Sequence, residues 1–263
     1  MAPGRFYVGT SGYSCKAWGE SFYPKDLDSK DFLRYYSLIF PFVELDFSWY
    51  TMPKPAPLLH LARQASPGFV FSLKAHRSLT HEVSERWPEA AEEFAAGADA
   101  LASEGRLAAI LLQMPYDFSY TDQNRKYLGN LCSALSAFPL AVEYMNNSWH
   151  QPSVFEELAR RSICCVQDDG PDFEALTPDK ARLTGPIAYF RLQGNPQEQW
   201  WEDNSAGNRD YDYSATELKR KAFCIDALTR KAARVFVVFS NNARGNSVQN
   251  AKVLSGIFRE MTG

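Results

Sequence analysis

Histidine is scarce, with four in 263 residues, and no HxH or HExxH spacing links them. The sequence signatures of a zinc centre are therefore missing, and whether a divalent metal binds stays open, with no ligand set assigned. No organic-cofactor motif is present. The five cysteines, Cys15, Cys132, Cys164, Cys165 and Cys224, follow no metal spacing, and their odd number argues against a secreted disulfide framework. Reduced thiols are expected. No apolar run approaches the ~20 residues of a membrane span. The first residues enter a strand without the basic and long apolar regions of a signal peptide. These absences lead to the expectation of a soluble, cytoplasmic protein with no membrane partner. An excess of positive charge is missing too: 28 Lys and Arg against 31 Asp and Glu give a net charge of −3. That excludes a globally basic nucleic-acid coat, while a local cationic cleft would still accommodate nucleic acid. Short tandem repeats and low-complexity tracts are also absent.

What is present is a regular series of short apolar runs, each closing on a polar or charged residue. They are Phe6 to Gly9, Phe42 to Leu45, Phe69 to Leu73, Ala108 to Leu112, Leu140 to Val142, Ile163 to Val166, Ile187 to Leu192 and Val235 to Phe239. Helical stretches lie between them: from a Ser29 cap through Tyr36, Ala56 to Gln64, Pro88 to Ser103, Thr121 to Leu135, from Pro152, a weak pattern in Gly170 to Gly185, Ala215 to Ala232, and from Gly245 to Met261. An alternating βα order over this length predicts one α/β domain spanning residues 1–263, a single (β/α)8 TIM barrel with long top-face loops. The active site of such a barrel lies at the strand C-termini.

Side chains alternate along a strand, so each terminal polar residue fixes which neighbours share its face. Glu44 goes with Phe42 and Asp46, Lys74 with Ser72 and His76, Gln113 with Leu111, Glu143 with Ala141, Asp168 with Val166 and Cys164, and Arg191 with Tyr189. If those faces point inward, Val43, Leu45, Leu73, Leu112 and Val142 face the helices. Lys74 and Arg191 then become anion or oxyanion contacts, and Glu44, Glu143 and Asp168 acid/base or metal-ligand candidates. Ser11, Gln113, Asn241 and Asn242 would orient a polar substrate, with His81 nearby. Tyr13, Trp18, Tyr50 and Trp149 fall in top loops, where a sugar ring or base can stack on them. The competing reading is that charges at the mouth only fix the strands and that the aromatics only pack the loops.

The segments Val8-Gly-Thr-Ser-Gly-Tyr-Ser, Trp18-Gly-Glu-Ser-Phe-Tyr-Pro, Val43-Glu-Leu-Asp and Tyr50-Thr-Met-Pro resemble the DUF72 family, also called YecE-like. Phe71-Ser-Leu-Lys-Ala, Leu79-Thr-His, Leu112-Gln-Met-Pro, Ala141-Val-Glu, Ser148-Trp, Phe190-Arg-Leu-Gln-Gly and Asn241-Asn with Asn250-Ala continue the pattern, from about residue 6 to 252. The resemblance implies a TIM barrel. Barrels of this family are similar to the xylose-isomerase and endonuclease IV type, which implies a DNA-binding or endonuclease role by analogy. The family pattern places Arg and His after the fifth-strand glutamate, where this chain has Met145 and Asn146, and His in R-x-H-G, where it has Gln193. These departures weaken a histidine-rich metal site.

Three functions follow as expectations. The first is an enzyme, of hydrolase, lyase or isomerase class, acting on an anionic (phosphorylated) or polyhydroxylated small molecule at the C-terminal mouth. The second is an endonuclease IV-like, metal-dependent phosphodiesterase or DNA-binding protein. The third is a non-catalytic barrel that binds a ligand or partner protein.

Overall fold

The computed structural model describes residues 5–15, 18, 21–169, 183–194, 211–241 and 245–262. Parallel strands alternate with helices along them. The strands are β1 (Phe6–Thr10), β2 (Phe42–Leu45), β3 (Val70–Lys74), β4 (Leu107–Met114), β5 (Leu140–Tyr144), β6 (Cys164–Cys165), β7 (Gln167–Asp168), β8 (Ile187–Leu192) and β9 (Arg234–Phe239). They form two sheets, in the orders β1-β9-β8-β7 and β2-β3-β4-β5-β6. Seven of the expected runs each became one strand. The run Ile163 to Val166 instead ends after Cys165, and the chain pairs again at Gln167, giving two short strands with Val166 between them.

The sheets meet at both ends, which makes the arrangement barrel-like. At one seam Ser11 N donates to Phe239 O at 3.0 Å and Gly12 N donates to Glu44 O at 2.8 Å, so the end of β1 touches both β9 and β2. At the other, β6 pairs with β5 and β7 pairs with β8, a single residue apart in the chain. The first seam is close-packed. A Cβ on Gly9 would lie 2.1 Å from Phe42 O, so only glycine permits this approach. Tyr36 locks it from outside: its hydroxyl accepts from Thr10 N at 2.9 Å and donates to Phe42 O at 3.2 Å.

The helices are α1 (Phe32–Ile39), α2 (Phe47–Tyr50), α3 (Pro55–Gln64), α4 (Trp87–Ala102), α5 (Asp122–Ala134), α6 (Pro152–Arg160), α7 (Ala215–Leu228) and α8 (Asn246–Thr262). Proline in the first turn starts α3, α4 and α6, where its missing N–H is not needed. Thr121 caps α5, and Ser214 with Glu217 forms a capping box on α7. The Ser29 cap is corrected: Asp28 caps a 3-10 turn over Ser29–Asp31, and the α-helix begins at Phe32. The weak helical pattern in Gly170 to Gly185 lies largely outside the described residues.

Strand parity divides the core as the alternation predicts. Tyr7, Phe42, Val70, Leu111, Ala141, Cys164, Val166, Ile187, Tyr189, Phe236 and Val238 form one cluster inside the strands. Val43, Leu45, Leu73, Leu112 and Val142 join the cluster under the helices. Cys164 and Cys165 accordingly face opposite sides, and no disulfide joins any of the five cysteines. Rings of Phe42, Tyr189 and Phe236 meet inside at centroid distances of 5.0 to 6.2 Å, filling the interior rather than leaving a pore.

Candidate functional site

Above that apolar plug the inward faces turn polar within one residue step. Glu44 is fully buried, with Glu143 at 2% and Arg191 at 4% exposure. Burying three charges is tolerable only if they are paired and their hydrogen-bonding capacity is met. Arg191 Nη1 donates to Glu143 Oε1 at 3.1 Å and Oε2 at 2.7 Å, and Nη2 donates to Glu44 Oε1 at 3.0 Å. Gln193 Nε2 donates to Glu143 Oε1 at 3.1 Å and Gln113 Nε2 to Oε2 at 2.7 Å. Glu143 thus accepts four hydrogen bonds, the usual capacity of a carboxylate. Glu44 Oε2 accepts from Tyr189 Oη at 2.7 Å, and that hydroxyl also meets Ser72 Oγ at 2.7 Å. Ser11 Oγ spans Glu44 Oε1, at 3.3 Å, and Asp46 Oδ2.

Among the described residues, two charged groups at the mouth are less fully paired. Lys74, half-buried at the end of β3, has no ion pair among the described residues, and its ammonium lies 5.6 Å from the Trp49 ring centroid. Burial, and behind it the Arg191 charge, holds this ammonium below the usual lysine range, against the pull of Asp46, Glu44 and Glu143. Asp46 retains some exposure, yet its Oδ1 is shielded from solvent and accepts no hydrogen bond. Burial and then the Glu44 charge push Asp46 above the usual carboxylate range, against Lys74, Arg191 and the Ser11 hydroxyl. Beside Lys74, Trp49 Nε1 donates to His81 Nδ1 at 3.3 Å and Tyr50 meets the Trp49 ring edge-on at 4.8 Å. Tyr50 and His81 are exposed.

The fold brings Glu44, Lys74, Glu143, Arg191, Gln113 and Ser11 together at one mouth. It changes the reading of several others. Arg191 does not offer its fork to an anion, because the two glutamates take both terminal nitrogens. Asp168 is exposed, and Asp169 is the buried member of the pair. Asp169 Oδ1 accepts from Gln193 N at 2.9 Å, its Oδ2 accepts from Tyr213, and Lys221 lies 3.5 Å away, so it ties β8 to α7. Trp18 is fully buried against Phe22, Tyr23 and Tyr36, which leaves no face for a ligand. Trp149 is 3% exposed, stacks on Phe118 and Tyr144, and donates to Phe118 O at 2.6 Å. Tyr13 is half-buried and its carbonyl accepts from Tyr23. Asn241 donates to Tyr211 O at 2.7 Å and Asn250 Oδ1 at 2.8 Å, fastening one loop to α8. Asn242, Trp200 and Trp201 lie outside the described residues.

Asp46 was legible as sharing the face of Glu44, but sequence reasoning gave it no role; the Glu-x-Asp spacing at a strand end was its signal. Gln193, where the family pattern has His, still supplies a donor to Glu143. Asn146 instead shapes the loop, donating to Tyr116 O at 2.6 Å and accepting from Ser148 N at 2.9 Å. Among the described residues no three of His, Cys, Asp and Glu are arranged to hold a metal ion, and no helix is long and apolar enough to cross a membrane.

Comparison with known proteins agrees with this geometry. The UPF0759 protein YunF of Bacillus subtilis (strain 168) is 28% identical over 264 residues, covering 94% of this chain and 92% of YunF. A DUF72 family protein from Thermotoga maritima MSB8 superposes with a TM-score of 0.84 at 31% identity, over 97% of this chain and 100% of that one. A DUF72 family protein from Enterococcus faecalis V583, at 21% identity, has the same fold, with a TM-score of 0.80 over 97% of this chain and 95% of that one. The model for the protein of unknown function DUF72 matches residues 7–262, and the chain belongs to that family.

Proposed function

We propose that this protein is an enzyme acting on an anionic or polyhydroxylated small molecule at the C-terminal mouth of a single (β/α)8 TIM barrel, with β6 and β7 together serving as the sixth strand. The observation that carries the reading is the division of labour among the buried charges. Arg191, Glu44 and Glu143 are committed to one another, while Lys74 and Asp46 at the same mouth keep unspent capacity. A carboxylate that already accepts four hydrogen bonds is a poor base and a poor metal ligand. Glu143, expected from sequence to react, serves better as the anchor of a fixed field.

Lys74 supplies the cation that meets a phosphate, a carboxylate or a developing oxyanion. Asp46, its carboxyl held above the usual carboxylate range, supplies or takes the proton. Exposed Tyr50 and half-buried Trp49 offer a ring face beside Lys74, suited to the apolar side of a sugar. The site residues derive from one wall, β2 and β3 with their following loops. The phosphodiesterase reading rests on fold analogy alone and has no such pair of groups behind it.

Calorimetric titration with a panel of sugar phosphates and free polyols tests the reading. Saturable, salt-sensitive binding that Lys74→Met abolishes and Lys54→Met leaves intact is the expected result. Binding indifferent to Lys74→Met would remove the mouth as the site, and none across the panel would remove sugar phosphates and polyols as its ligands.

A further inference from the structure

Resting on that reading of the mouth, we propose that Lys74 Nζ is a nucleophile that forms an imine with an aldehyde or ketone group of the substrate, Asp46 moving the protons. The geometry points to this pair by what surrounds it. Among the described residues Glu44, Glu143 and Arg191 on the inner face are each held by at least two partners, and Arg191 and Glu143 by three acceptors or donors each. Lys74 has the face of Trp49 and no carboxylate, although Asp46, Glu44 and Glu143 all lie close enough to act on its charge. Asp46 keeps one shielded oxygen without a donor. An amine with no carboxylate partner, beside a carboxyl with one shielded oxygen lacking a donor, is a costly arrangement for structure alone.

The same surroundings prepare the amine for attack. Desolvation and a neighbouring guanidinium favour the neutral form of a lysine, the form that carries the lone pair. Arg191 cannot be drawn away to quench the carbonyl oxygen, since its terminal nitrogens are committed to the two glutamates. Asp46, held above the usual carboxylate range, keeps its proton to higher pH than an ordinary carboxyl does.

The step balances without any oxidant or reductant. The Nζ lone pair attacks the carbonyl carbon, the π pair moves to oxygen, and that oxygen takes a proton from Asp46. The new ammonium returns a proton to the Asp46 carboxylate. Protonation by Asp46 then lets the hydroxyl leave as water while the nitrogen lone pair forms the C=N bond. Amine, carbonyl and one proton from Asp46 have become iminium and water, with Asp46 left as the carboxylate, and the Trp49 face lies where it can stabilise the new cation.

The test is reductive trapping of the intact protein at neutral pH, with glycolaldehyde and pyruvate as probes, cyanoborohydride as reductant and peptide mass spectrometry to locate the adduct. These small carbonyls report the reactivity of the amine whatever the natural substrate. Lys74 is expected to trap at least about tenfold faster than exposed Lys54 and Lys126, and Asp46→Asn to slow trapping at Lys74 by about ten- to a hundredfold. Thermal unfolding of Asp46→Asn establishes that the variant is folded. Trapping at Lys74 no faster than at the exposed lysines overturns the imine. If the wild-type protein nevertheless binds sugar phosphates, the reading of the mouth survives that failure. Rapid trapping with no sugar-phosphate binding sustains the imine and moves the substrate to uncharged carbonyl compounds.

Discussion

Arg191 grips Glu143 with one terminal nitrogen, Nη1 lying 3.1 Å from Oε1 and 2.7 Å from Oε2, and leaves the other to reach Glu44. The two glutamates come from β2 and β5, and the arginine from β8, so one guanidinium joins three separated strands inside the molecule. Burial opposes the charge on Arg191, but Glu143, Glu44 and Asp46 more than restore it.

Removing Arg191 strands two carboxylates in the interior. Arg191→Met should cost about 3–5 kcal/mol, the usual penalty for breaking a buried ion pair from one side. Urea unfolding at neutral pH measures it. A loss below about 1 kcal/mol would mean that water reaches the glutamates. Arg191→Lys should not rescue, because a single ammonium cannot serve both glutamates with the same geometry.

Tyr189 links Ser72 to Glu44 through one hydroxyl. Tyr189→Phe should destabilise by about 1–3 kcal/mol, since Glu44 Oε2 loses its donor in a buried site. Adding Ser72→Ala should cost less than its effect in the wild-type protein, with a coupling of at least ~0.5 kcal/mol. Strict additivity in a double-mutant cycle would separate the two hydroxyls.

Lys74 should make stability depend on pH in a direction set by its neighbours. The groups that face it are Arg191 from β8, Asp46 and Glu44 from β2 and its end, Glu143 from β5, and His81 from the loop after β3. An unfolded lysine titrates near ~10.4, above the lowered value in the folded protein, so between those values the unfolded chain binds more protons. Stability contributed by this residue therefore rises with pH through that window. Below the window the buried charge is a standing cost. Lys74→Met should raise the melting temperature at neutral pH and flatten the alkaline slope. A variant that melts lower, with the slope unchanged, would contradict the assignment.

At the β1/β2 seam, Gly9→Ala would press a methyl group against Phe42 O. The expected cost is about 1–3 kcal/mol or more, typical of overpacking against backbone that cannot yield. Chemical denaturation checks it, with Gly12→Ala as a comparison: Gly12 is in open space but at φ 77°, so its cost comes from backbone conformation alone.

The strands and most helices were legible because each apolar run closes on a polar or charged residue and is followed by a helical pattern. Parity alone placed Glu44, Lys74, Gln113, Glu143 and Arg191 on one face. Strand parity says which way a side chain points and nothing of which partner it finds. Hence Arg191 looked like an anion clamp, when two glutamates had already taken its nitrogens. Asp168 misled because the β6–β7 break displaces the simple alternation, and the buried carboxylate is the next residue. Trp18 and Trp149 illustrate a second limit: an aromatic in a loop reads the same whether it stacks on a ligand or on Tyr36 and Tyr144. Asp46 emerged only once its unsatisfied oxygen was visible.

The central claim is that Lys74 and Asp46 are the reactive pair in a mouth whose Arg191, Glu44 and Glu143 are committed to one another. It is tested most directly by following the Lys74 side chain through a pH titration by NMR, with selectively labelled lysine assigned through Lys74→Arg. The account predicts that Lys74 loses its proton at lower pH than exposed Lys54 and Lys126, and that Asp46→Asn lowers its midpoint further by removing a carboxylate that favours the ammonium. A Lys74 that titrates together with the exposed lysines, unmoved by Asp46→Asn, would contradict it.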